Sequence, residues 1–246
     1  MARQWQIVSH GHSLPSVSST TPTPPASSLT ERRKAETRME IARVAAGLFV
    51  RNGLRATRAE DIAQAAGIAP RTFYRYFATK EEAVAPLYAT GARRWVEAVR
   101  AAPPDAGVLS ALEQGVHHTL TPGVGVSVSS WEWVRTLLRL AEATPSLGRV
   151  WAEVCHASER RLGEVLAERV TRAGSPETGG GDNVAVTGEP SVVSPDLRFA
   201  AAVAGAAVRA ALEAWAAGDG PAEGPDGPAE LALRNLAALR DFPWER

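Results

Sequence analysis

Residues 57–84 read "TRAEDIAQAAGIAPRTFYRYFATKEEAV", and the side chains there that could do chemistry are cations, hydroxyls and phenols. Arg71 and Arg75 stand four apart, Thr72 and Tyr76 do the same, and Tyr74 falls between them. On a helix such pairs form neighbouring stripes of guanidinium, hydroxyl and phenol. These groups hydrogen-bond to phosphate oxygens, and guanidinium also reads base edges in a major groove. Phe73 and Phe77 share another stripe, which leaves the same short helix an apolar side to anchor it. Arg58 and Lys80 lie beside Thr57 and Thr79, at two segment starts where helix amides would face an anion.

The remaining reactive residue types form no comparable group. There is no Ser/His/Asp arrangement and no Gly-rich phosphate loop, so catalysis is not expected. Adjacent His117 and His118 point about 100° apart on a helix and cannot clamp one ion. Neither they nor His156 have Asp, Glu or Cys neighbours at ligand spacing, so no metal and no cofactor is expected. Cys155 is the single cysteine, which excludes an internal disulfide and fits a reducing, cytoplasmic setting.

The elements that must hold these groups follow from capping signals and apolar spacing. "SLTE" has the form of a capping box with Ser28 as cap and Glu31 as its partner. Behind it Ile41, Val44, Ala45, Leu48 and Phe49 repeat at helical spacing, up to a stop at Gly53. "TRAE", with Thr57 as cap and Glu60 as partner, opens a short helix to about Ala66. Gly67 and Ile68 turn, and Pro70 begins the next helix at the position where a proline is best tolerated. "TKEE", with Thr79 as cap and Glu82 as partner, starts a fourth helix expected to reach Ala102 with a kink at Pro86. Two short helices joined by a glycine turn and backed by a longer one make a helix-turn-helix, with Phe73 and Phe77 meeting Ile41, Leu48, Ile62 and Ile68.

Beyond Pro103 the chain alternates Ala/Leu-rich helical patterns with Gly/Pro loops, and helices are predicted near 105–120, 130–143, 146–172, 195–217 and 228–241. No segment alternates with period two, so the fold is all-α: an N-terminal three-helix helix-turn-helix domain followed by a helical bundle. The expected divisions are a disordered Ser/Thr/Pro arm at 1–28, a DNA-binding domain at 29–78 and a second domain at 79–246. A further polar loop is expected at 174–195. The uncharged run Phe199–Val208 is too short to span a bilayer, so no membrane segment is expected. Formal charge is zero overall, yet residues 31–100 carry 14 Lys/Arg against 8 Asp/Glu and residues 101–246 carry 12 against 19. A basic first third joined to an acidic remainder places any anionic partner at the N-terminal part.

In order and spacing, residues 31–84 resemble the DNA-binding domain of TetR-family transcriptional regulators. The resemblance rests on the Ile-Ala pair, the Ala-Gly turn, the "TFYRYF" recognition helix and the "TKE" opening of the fourth helix. It implies a double-stranded DNA operator read by Thr72, Tyr74 and Tyr76, with Lys80 on a phosphate. Pro70, Arg71 and Arg75 hold the positions that choose the operator. Ala69 departs from the pattern, because a Ser-like cap is usual there.

The resemblance also implies that the second domain binds a small effector and forms a homodimer through its last two helices, the Ala-rich 195–217 segment and the Leu-bearing one after it. Trp131, Leu137, Trp151 and Val154 are the effector-site candidates. "LLRLAEATPSL" and "AALEAWAAGDG" are similar to a subgroup associated with acyl-coenzyme A ligands and the mycofactocin regulator, which implies a fatty acyl effector. Arg135, Arg139 and Arg161 are available for its acidic headgroup. The expected function is a repressor released from its operator by that effector.

Overall fold

In the computed structural model, residues 28–124, 127, 130–173 and 193–244 are described. Helix α1 (Leu29–Asn52) opens as its capping box requires, with the Ser28 hydroxyl accepting the Glu31 amide N–H at 3.2 Å. It closes at Gly53, whose φ of 81° is strained for any residue with a side chain. The expected arm before Ser28 and residues 174–192 of the expected 174–195 loop lie outside the described residues, and the end of that loop is instead the start of a helix at Pro195.

The next cap differs from expectation by one residue. Arg58, not Thr57, caps α2 (Ala59–Ala65), and its amide N–H donates to the Asp61 carboxylate at 2.8 Å. Thr57 is buried, and its hydroxyl turns back to donate to the Gly53 carbonyl at 2.9 Å. It satisfies the end of α1 instead of the start of α2. Helix α3 (Pro70–Tyr76) begins on Pro70 without a side-chain cap.

The Thr79 box also forms in altered register: Thr79 Oγ1 accepts the Glu82 amide N–H at 3.3 Å, while the Glu82 carboxylate accepts the Ala78 N–H at 3.0 Å. It caps a 3-10 turn, Glu81–Val84, after which α4 (Ala85–Ala101) starts. Pro86 therefore sits in the first turn of α4, where its missing donor costs nothing, and the expected mid-helix kink is corrected to a helix start.

The remaining elements are α5 (Val108–Leu120), α6 (Trp131–Ala143), α7 (Pro145–Ala173), α8 (Pro195–Ala217) and α9 (Pro228–Ala237). All described elements are helical, and α9 stops short of the expected 241 because the chain breaks into tight turns after Ala238.

Two apolar clusters hold the helices. In the first, Ile41, Phe49, Ile62, Phe73 and Phe77 are buried, and Leu48 and Ile68 close its edge as expected. The rings of Phe73 and Phe77 lie 5.7 Å apart. Complete burial of each contributes about 2–3 kcal/mol toward fixing α3. This cluster continues through Val84 and Tyr88 to Leu137 and Leu147, so α3 shares one core with α6 and α7. The second cluster joins Trp95, Leu112, Val116, Leu162, Leu166, Trp215 and Leu236 from α4, α5 and α7–α9.

Helix α8 has the length and hydropathy of a membrane span, more than its uncharged run alone implies. Its Ala200, Ala204, Val208, Ala211 and Trp215 nevertheless pack into the second cluster against α6, α7 and α9.

Arginines tie the helix ends together. Arg169 donates to the carbonyls of Ala102, Pro103 and Ala106 at 2.8–2.9 Å and to Val99 at 3.4 Å, satisfying the C-terminus of α4. Burial, reinforced by Arg172 and opposed by Asp105, holds its pKa below the ordinary guanidinium value. Arg135 donates to the Gly220 carbonyl and lies 4.3 Å over the Trp215 ring. Arg139 donates to the carbonyls of Ala216 at 2.6 Å and Gly218 at 2.8 Å. Both therefore grip the chain at the end of α8.

Candidate nucleic-acid interface and an internal cavity

The burial of Phe73 and Phe77 dictates what α3 presents on its other side. Arg71, Tyr74 and Arg75 are exposed, Tyr74 to 51%, and Pro70 is exposed at the helix start. Thr72 and Tyr76 are half-buried, and the Tyr76 ring packs onto the edge of the core. The Tyr74 ring stands edge-on to Phe73 at 5.5 Å, and its hydroxyl lies 3.4 Å from a Glu60 carboxylate oxygen. The Arg75 guanidinium lies 5.4 Å from the Tyr76 ring.

Arg38 secures the far end of α3 by donating to the Tyr76 carbonyl at 2.7 Å while lying 4.5 Å over the Phe77 ring. No local pattern around Arg38 announces this, because the contact crosses 38 positions of chain.

Two of the expected phosphate ligands are placed differently from the others. Arg58 is exposed at the start of α2, whereas Thr57 is buried against α1. The Lys80 ammonium is half-buried and donates to the carbonyls of Leu54 and Thr57 at 2.6 and 2.7 Å. It straps the α1–α2 connection to the segment after α3. The outward face that could meet a groove is thus built from Arg58, Pro70, Arg71, Tyr74 and Arg75, with Thr72 and Tyr76 at its margin.

The second half holds a partly open cavity of about 170 Å³ bounded by α4 to α8. Of the effector-site candidates, Trp131, Leu137 and Trp151 line it, and Val154 does not. Val154 packs with the Leu147 and Val150 stripe of α7 on the first cluster, while Trp151, Cys155, Ser158 and Glu159 form the stripe that faces the cavity. Tyr88 and Trp95 complete an aromatic wall. The Tyr88 ring lies 5.1 Å from Trp151, and its hydroxyl donates to the Leu137 carbonyl at 2.9 Å. Burial, with a smaller contribution from Cys155, raises the Tyr88 pKa above the ordinary phenol range.

The charged groups at the cavity are not those expected. Arg135 and Arg139 are committed to the end of α8, and Arg161 is exposed on α7. Glu159 and Arg209 line the wall instead. Arg209 lies 4.0 Å from Glu213, which also accepts the Trp151 indole N–H at 2.8 Å. Burial pushes the Cys155 thiol up to about 12, with Arg209 opposing and Glu159 and Glu213 adding to the shift. The polar lining residues had no sequence signal beyond their place on the same helical stripe as Trp151.

Comparison with known proteins bears on both regions. Residues 41–85 match the sequence model of bacterial regulatory proteins of the tetR family. The HTH-type transcriptional regulator TcmR of Streptomyces glaucescens is 31% identical over 159 residues, covering 61% of this chain and 68% of its own. The HTH-type transcriptional repressor KstR2 of Mycobacterium tuberculosis is 48% identical over 50 residues, 20% of this chain and 25% of its own. Among solved structures, a TetR-family transcriptional regulator from Mesorhizobium loti is similar with a TM-score of 0.48 and 20% identity, over 84% of this chain and 96% of its own.

Proposed function

The chain belongs to the TetR family of bacterial regulatory proteins, which are transcriptional regulators, and from that premise we propose that it is an operator-binding repressor released by a small apolar effector. Residues 29–78 are the DNA-reading unit and residues 79–246 the effector-binding and dimerisation unit. The observation that carries the DNA reading is the two-sided character of α3: Phe73 and Phe77 lock it, while Arg71, Tyr74 and Arg75 stand exposed.

In this reading Arg71 and Arg75 select bases, and Pro70 brings the start of α3 close to the groove. Thr72, Tyr74 and Tyr76 position the helix on the backbone, and Arg58 meets a phosphate. Lys80 acts chiefly through the loop it straps, and Thr57 through the same loop.

A homodimer places two recognition helices in successive major grooves about 34 Å apart on a pseudo-palindrome. The dimer forms through α8 and α9. Its support is the outer stripe of α8, where Phe199, at 62% exposure, is followed by Val203, Ala206, Ala210 and Ala214 at helical spacing. Small residues there allow close helix approach in a four-helix bundle.

The effector occupies the aromatic cavity, and it releases DNA only as far as its affinity differs between the DNA-bound and free conformations. The shared core from α3 through Tyr88 to Leu137 is the physical route by which cavity and reading head feel one another. A fatty acyl chain, the class implied by the second-domain resemblance, would fill this cavity of about 170 Å³ and extend through its open side. A void of about 150 Å³ holds one benzene.

The test is fluorescence anisotropy on DNA from upstream of the protein's own gene against scrambled DNA at equal salt. Preference of about a thousandfold for the upstream DNA is expected. Equal binding to that DNA, to scrambled DNA and to any sequence selected from a random pool would end the regulator reading.

A further inference from the structure

Trp133 is the most exposed of the described tryptophans, at 42%, and it does not line the cavity. Its place is explained by α1. Gly47 lies in the middle of that helix and is buried, although glycine in a helix interior is destabilising relative to alanine. A Cβ added there would stand 3.5 and 3.6 Å from Cη2 and Cζ3 of Trp133 and 3.2 Å from Arg51 Nη1. The bare strip of α1 is therefore roofed by the Trp133 indole, with the Arg51 guanidinium beside it.

Helix α6 carries two apolar stripes. Trp131, Val134 and Leu138 pack into the second cluster, while Leu137, Leu140 and Ala141 pack into the first. Trp133 stands one turn before Leu137, at the exposed end of the stripe that faces the first cluster. The helix-turn-helix meets the bundle in two places: α1 packs on the 3-10 turn and α4 at one, and on α6 at the other. A single contact acts as a pivot, whereas two fix an angle.

That angle matters to a dimer that must set two copies of α3 in successive grooves. Grooves about 34 Å apart over about ten base pairs make one base pair of displacement about 3.4 Å, so a shift of about 2 Å in each α3 is enough to favour another half-site spacing.

We propose that Trp133 is a positioning residue for operator recognition: seated on Gly47, it fixes the angle of the helix-turn-helix on the bundle, and with it the half-site spacing the dimer accepts, without touching DNA. The inference rests on the dimeric operator-binding reading above and adds to it the contact that sets the geometry. Two substitutions at position 47 bracket it. Alanine fits, because 3.5 Å is ordinary van der Waals contact and the end of the Arg51 side chain can swing aside. Valine, branched at Cβ and held to one rotamer in a helix, cannot turn both methyls away and must lift the ring.

The test uses the full-length protein and fluorescence anisotropy on duplexes carrying half-sites that the parent selects from a random pool, at the selected spacing and with one base pair added or removed. The parent is expected to favour its own spacing at least tenfold. Trp133→Ala and Gly47→Val should each reduce that preference to about threefold or less, or move its optimum, and Gly47→Ala should keep the parent profile. Far-ultraviolet circular dichroism checks that each variant is folded, and either of the two disruptive variants suffices if the other is not. A folded Trp133→Ala or Gly47→Val with the parent's spacing profile, even at lower affinity, overturns the inference, because an indole that merely covers surface would weaken every spacing alike. Loss of the preference in Gly47→Ala overturns it as well, since that methyl leaves the ring in place. A parent that binds all spacings equally removes the dimeric operator reading itself, whereas a parent preference that survives both variants removes only the role of Trp133.

Discussion

Replacing Lys80 with Met keeps the aliphatic stem and removes only the ammonium, which makes it a direct test of the strap between the α1–α2 connection and the end of α3. Two charge-assisted bonds are lost, to Leu54 O at 2.6 Å and Thr57 O at 2.7 Å. Each is worth about 1.5–3 kcal/mol where water is excluded. Lys80 is only half-buried and its carbonyl partners can turn to water, so the lower figure applies to both. Freeing the lysine side chain returns about 1 kcal/mol of rotamer entropy. The net loss is about 2 kcal/mol, which lowers the melting temperature by roughly 4–8 °C for a chain of this size. Thermal melts followed by circular dichroism give that shift, and anisotropy across a salt series gives the companion quantity. A lysine that acts through the loop lowers operator affinity while the slope of log K against log salt stays as in the parent. A lysine that also touches a phosphate makes the slope shallower by about 0.9. A melting temperature within 1 °C of the parent would refute the strap, whatever happens to the DNA.

The face of α3 makes a complementary prediction: Arg71→Ala and Arg75→Ala should each relax preference at particular base pairs by about 1–3 kcal/mol, seen by selection from randomised half-sites, while Arg58→Ala weakens all sequences alike. Uniform weakening by Arg71→Ala and Arg75→Ala would reassign both to the phosphate backbone. Arg169→Met should cost about 3 kcal/mol in urea unfolding, because the last carbonyls of α4 lose their donors at a site where the arginine is only 5% exposed. An unchanged urea midpoint would show that water replaces the guanidinium there. Cys155, pushed up to about 12 chiefly by burial, keeps its proton at pH 8, so iodoacetamide should modify it on the order of a thousandfold more slowly than a free thiol. Because the shift is upward, the rate should climb as pH rises above 9, and modification at the free-thiol rate would contradict the buried position.

What could be read without coordinates was whatever a few neighbouring residues decide among themselves. Ser28 caps α1, Gly53 ends it, Pro70 begins α3, and Phe73 and Phe77 anchor that helix, each through contacts implied by spacing of one to four positions. Thr57 failed for a reason of the same scale. Thr57/Glu60 and Arg58/Asp61 are overlapping boxes, and the competing acceptor for the Thr57 hydroxyl, Gly53 O, exists only once α1 has ended. At the cavity, Trp131, Leu137 and Trp151 were legible as large apolar residues. Assigning Val154 required knowing that α7 carries two apolar stripes with different partners.

The cations were the least legible group, and the reason bears on how far the basic excess of the N-terminal part can be read as DNA affinity. A sequence shows where a positive charge is, not which carbonyl it will meet. Arg38 and Lys80 each donate to main-chain carbonyls around the helix-turn-helix, as Arg135, Arg139 and Arg169 do in the second half. Those groups stiffen loops and helix ends, and a phosphate could recruit them only by breaking bonds already made. Counterion release counts the charges that meet phosphates, not the charges in a segment. The formal excess of residues 31–100 therefore overstates what is available to DNA, and under the proposed reading the exposed Arg58, Arg71 and Arg75 would set the salt dependence near α3. Each of those three that touches a phosphate contributes about 0.9 to the slope. A dimer with all six on phosphates gains roughly 5 from them, and one in which Arg71 and Arg75 reach base edges gains only about 2.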